Sequence, residues 1–115
     1  MSWEIRLITL FLFVNQNVEE KIPYLCGRLS NNSSFDLTDT EVMVIFLWGI
    51  MQKRTDIKGI YNYTNNHLRD WFPDLPSYPA YVMRLNRLAD AFVPLMLEIQ
   101  EHFPFRQLFK KYPFN

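Results

Sequence analysis

The chain has 115 residues, enough for one domain with a real core and too few for a second full one, so residues 1–115 are read as a single helical domain. Lys plus Arg and Asp plus Glu are both 12, which lacks the basic excess of a dedicated nucleic-acid binder, and 49% hydrophobic residues exclude a disordered segment. Three glycines and seven prolines are too few turn-formers for a sandwich or barrel, and helices joined by proline-punctuated loops fit better.

Charge is polarised along the chain. Up to Gln52 three basic residues face six acidic ones, and from Lys53 onward nine basic face six acidic. That division permits a basic face opposite an acidic one. The single cysteine, Cys26, excludes an internal disulfide and points to a reducing compartment. Leu7 to Val14 is apolar but is followed by NQNVEE rather than a small-residue cleavage site, and it falls far short of the roughly 20 residues of a spanning helix. A cytoplasmic protein with no membrane partner is expected.

Trp3 to about Val14 reads as a helix, with a buried strand as the minority alternative. Val18 to Leu29 carries a second helical stripe that Pro23 either kinks or starts late, and Ser30 to Ser34 is a loop. Thr38 and Glu41 have the spacing of a capping box, so a helix starts there; from Val42 to Met51 only Gly49 is not a large apolar residue. A helix apolar all round belongs at the centre of a bundle.

Thr55 or Asp56 caps the next helix, which buries Ile57, Ile60, Tyr61, Thr64 and Leu68 and turns Lys58, Asn62 and Asn65 outward. Trp71-Phe72-Pro73 stops it. Ser77 caps a further helix with Pro79 in its first turn and a buried stripe of Tyr81, Leu85, Leu88 and Phe92 flanked by Val82 and Ala89. Pro94 kinks this helix or separates it from a last one, Leu95 to Phe103, and the remaining FRQLFKKYPFN has room for a turn or two. The fold class is therefore all-α, a compact bundle of about five helices.

Catalytic chemistry is thin. His67 and His102 lie 35 residues apart, no cysteine-histidine metal spacing occurs, and the scattered glycines form no phosphate loop. No catalytic residue, metal, cofactor or small-molecule substrate is assigned. Asp39 with Glu41, and Glu98 with Glu101, read as helix cap and solvated face. The one constellation with chemistry is the helix, turn and helix from Asp56 to Leu88. Its functional reading is a helix-turn-helix-like unit in which Arg84 and Arg87 contact phosphate or guanine, Asn86 reaches a base, and the amides near Ser77 face a phosphate. Its plain reading is an ordinary helix pair, since a turn from Asp70 to Ser77 is long and the arginines have Glu98 and Asp90 as partners.

Two stretches carry a family resemblance. Leu37 to Tyr63 opens with Leu-Thr-x-x-Glu, and Leu68 to Phe92 contains Phe-Pro-x-Leu-Pro-Ser-Tyr followed by Tyr-Val-x-Arg-Leu-Asn-Arg-Leu. Together they resemble the N-terminal region of bacterial insertion-sequence transposases of the DDE class. The resemblance implies an all-helical module that helps recognise the element's terminal repeats and helps assemble the transposase on DNA. The DNA-binding residues offered by the helix-turn-helix-like unit are Ser77, Arg84, Asn86, Arg87 and Lys58, and the assembly is either a homo-oligomer or a complex with a protein partner. In that family an RNase H-like domain follows, its first catalytic aspartate on an early strand. Pro104 to Asn115 contains no acidic residue, so a non-catalytic module binding double-stranded transposon ends is expected. The alternative is a protein–protein interaction module, an inhibitor or regulator that has kept the fold without binding DNA.

Overall fold

The structure, a computed structural model, describes residues 2–20 and 37–109. Among them are five α-helices and no strand: α1 (Trp3–Glu20), α2 (Asp39–Met51), α3 (Ile57–His67), α4 (Tyr78–Arg87) and α5 (Ala89–His102), followed by a 3-10 turn, Arg106–Phe109. The all-α expectation holds. The loop expected at Ser30 to Ser34 and the single cysteine lie outside the described residues.

α2 organises the rest because it has hardly any outward side. Val42, Met43, Val44, Ile45, Leu47, Trp48, Ile50 and Met51 are all buried, and α2 packs against α1, α3, α4 and the 3-10 turn. Its start is the expected capping box: the Glu41 amide donates to Thr38 Oγ1 at 3.1 Å, and the Thr38 amide donates to Glu41 Oε1 at 3.0 Å. At its other end the Lys53 amide reaches the Ile50 carbonyl and the Arg54 amide reaches the Gly49 carbonyl, the paired bonds of a Schellman cap. This geometry puts Lys53 at φ 67°, a conformation that suits glycine better.

α1 differs from the two pieces expected. It runs unbroken to Glu20 through Asn15, Gln16 and Asn17, because its polar residues find partners: Thr40 Oγ1 donates to Asn15 Oδ1 at 3.0 Å, and Asn17 Nδ2 donates to the Phe13 carbonyl at 2.9 Å. The remainder of the expected second piece lies outside the described residues. Leu7, Leu10, Val14 and Val18 form its buried stripe against α2.

The break between the last two helices also differs. It falls at Leu88, which closes α4 and opens α5, and Pro94 sits inside α5 at the level of its second turn. Leu88, near ψ 6°, donates its amide back to the Arg84 and Leu85 carbonyls, so the chain turns before the proline is reached. The break sets the phase of the last helix: Ala89, expected beside the buried stripe, is exposed and Ala91 is buried in its place, while Leu95, Ile99 and Phe103 are buried as expected.

Candidate nucleic-acid interface

The unit from Asp56 to Leu88 is held together by aromatic rings. Tyr61 of α3 sits between Tyr78 and Tyr81 of α4, with ring centroids 5.4 and 6.0 Å away, and its hydroxyl donates to the Pro76 carbonyl. Tyr81 is fully buried and donates to the Val42 carbonyl of α2 at 3.1 Å. Burial pushes its phenol well above the ordinary range, because the phenolate would lose its hydration there. The α3–α4 pair is thereby anchored to the bundle's central helix.

The turn between the two helices is long but closed on itself. Trp71 and Phe72 both donate amides to the Leu68 carbonyl, Leu75 donates to Phe72, and Arg69 Nη1 donates to the Leu75 carbonyl at 2.9 Å. Phe72 and Leu75 are buried and lock the corner, whereas Trp71 stays 38% exposed and meets Trp3 of α1 edge to face at 5.8 Å.

Ser77 caps α4 as expected, its hydroxyl accepting from the Ala80 amide at 3.4 Å. Lys58 lies beside that same end, its Nζ 5.5 Å from the centre of the Tyr78 ring. Asn86 and Arg87 occupy the last turn of α4, exposed and without a partner among the described residues. Four of the five expected residues thus stand at the two ends of α4, open to the outside.

Arg84 is placed differently. Its Nη2 lies 2.9 Å from Oδ1 of Asp39, with 19% and 10% of the two side chains exposed. This is neither of the partners, Glu98 and Asp90, that the sequence suggests. Asp39, read from sequence with Glu41 as part of the helix cap, stands buried at the start of α2, where a carboxylate also meets the positive end of the helix dipole. Sequence reasoning misses this pair because the partners are 45 positions apart, and only the packing of α4 across α2 joins them.

Neither α3 nor α4 contains an acidic residue, so the exposed cations there are not neutralised within their own helices. The described residues hold no group of three metal-ligating side chains, and no helix among them is long and apolar enough to cross a membrane. Buried donors without a partner among the described residues are Arg6 Nε and Trp48 Nε1.

No family model, curated protein or solved structure matches the chain. The transposase resemblance accordingly rests on the motif residues themselves.

Proposed function

We propose that the chain is a non-catalytic DNA-binding module of transposase N-terminal type, reading double-stranded element ends with α4 as the helix presented to the duplex. The observation that supports this reading most is the placement of Lys58 with Ser77 at one end of α4 and Asn86 with Arg87 at the other, all exposed, on helices free of acidic residues. Ten residues at 1.5 Å rise make α4 about 15 Å long, comparable with a major groove roughly 12 Å wide. Lys58 and Arg87 then face the phosphates of the two strands, and Asn86 faces base edges. Arg84 has a different part: clamped to Asp39, it sets the position of α4 on α2.

The test is an electrophoretic mobility shift at two salt concentrations, on duplexes carrying the terminal repeats of insertion sequences whose transposases share the Phe-Pro-x-Leu-Pro-Ser-Tyr motif. Binding that weakens with salt is expected, because each neutralised phosphate releases counterions. Undetectable binding at low salt refutes the reading.

A further inference from the structure

α1 presents a second apolar stripe, directed away from the core. Ile5, Ile8 and Leu12, at intervals of three and four residues, are 52%, 44% and 60% exposed. Trp3 and Trp71, in edge-to-face contact, continue the apolar surface at one end. Between α1 and the Trp71 turn runs a groove of about 270 Å³ lined by Leu7, Ile8, Phe11, Glu41, Trp71 and Phe72. An exposed apolar surface of this extent is a mark of an interaction site.

Its charge identifies the occupant. The acidic residues of α1 are Glu4, Glu19 and Glu20; Glu41 lines the groove, and Asp70 immediately precedes Trp71. The one basic residue of α1, Arg6, turns to the other flank, its guanidinium carbon 6.0 Å from the Phe105 ring centre. Arg69 is exposed and gives one guanidinium nitrogen to the Leu75 carbonyl of its own turn. Among the described residues the surface is therefore apolar along its middle, with the carboxylates of Glu4, Glu19, Glu20, Glu41 and Asp70 outnumbering the cations of Arg6 and Arg69 around it.

We infer that this face docks a basic amphipathic helix of another protein, its apolar stripe along Ile5, Ile8 and Leu12, one large side chain in the groove, and its lysines or arginines over Glu4, Glu19 and Glu41. The charge argues against the other occupants. A second copy related by a two-fold axis brings the same carboxylates against one another, and duplex DNA or an anionic membrane surface is repelled. A helix lying in an apolar groove with opposite charge at the rim is an established mode of recognition.

The whole chain is titrated with a synthetic leucine–lysine amphipathic helix of about five turns, with a leucine–glutamate helix of the same apolar face, and with phosphatidylcholine–phosphatidylserine vesicles, following tryptophan emission. The leucine–lysine helix should shift the emission to the blue with saturation, and added salt should raise its apparent Kd. Ile8→Glu with Leu12→Glu should weaken it at least about tenfold, the scale of losing one buried apolar side chain, with circular dichroism unchanged. Glu4→Lys with Glu19→Lys, which leaves the apolar stripe intact, should transfer preference to the leucine–glutamate helix. Equal binding of both peptides, binding of neither, a preference for vesicles, or a dimer of the chain abolished by Leu12→Glu each overturns the inference. Ile8 and Leu12 lie on α1 rather than α4, so duplex binding by their variants stays as in the parent, and the two readings fail independently.

Discussion

Arg84 Nη2 and Asp39 Oδ1, 2.9 Å apart, join the last turn of α4 to the first residue of α2. Removing either partner takes from a mostly buried charge its close counter-charge, which costs about 2 kcal/mol after allowance for the remaining exposure. Arg84→Ala and Asp39→Ala should each lower unfolding stability by that amount in urea. The double variant should lose far less than the sum of the two, the signature of direct coupling.

Arg87 gives the opposite expectation. It is exposed and engages nothing among the described residues, so Arg87→Ala should change stability by less than about 0.5 kcal/mol. Duplex binding should weaken across sequences, and the logarithmic salt slope should fall by about 1, as for loss of one phosphate contact. Asn86→Ala should instead relax sequence preference while leaving the salt slope in place.

Tyr81 makes stability sensitive to alkali. Its phenol is held above the ordinary value of about 10 by burial, so above that pH the unfolded chain gives up the proton while the folded chain keeps it. The stability contribution is complete below pH ~10 and declines as pH rises further, by about 1.4 kcal/mol per pH unit. Tyr81→Phe should abolish this part of the slope, and at neutral pH it should lose about 1 kcal/mol with the bond to the Val42 carbonyl.

Lys53 offers a gain. At φ 67° it fills the position of a Schellman cap where a side chain is strained. Lys53→Gly should stabilise the chain by about 1 kcal/mol, visible as a higher urea midpoint with an unchanged slope.

Gly49 is required by close packing. A Cβ there would lie 2.5 Å from Cγ1 and 2.7 Å from Cγ2 of Ile60, which is itself buried. Gly49→Ala should destabilise by about 1–3 kcal/mol through overpacking. Adding Ile60→Ala, which removes the clashing atoms, should make the pair less damaging than the sum of its members.

Local signals are legible in the sequence, and long-range ones are not. The Thr38 capping box, the Ser77 cap, the all-apolar α2 and the Ile60, Thr64 and Leu68 stripe depend on neighbours within a turn or two, and the structure has them all. Sequence misplaces the α4–α5 break because proline at 94 is a strong local signal, whereas the turn at Leu88 comes from packing either side of it. Asn15 and Asn17 look like a helix end for a similar reason: the Thr40 hydroxyl that satisfies Asn15 belongs to another helix. At the candidate interface, sequence nominates Arg84 and Arg87 as equals. It cannot tell that one is clamped to Asp39 and the other is open.

Four neighbouring elements lean on α2, so its amides reach solvent only when the whole bundle comes apart, and it belongs to the most slowly opening part of the molecule. Nearly every position along it is a contact, which leaves this helix little room to drift in sequence. Novelty in such a chain must be acquired on its outer helices, while the axis they share stays as it is.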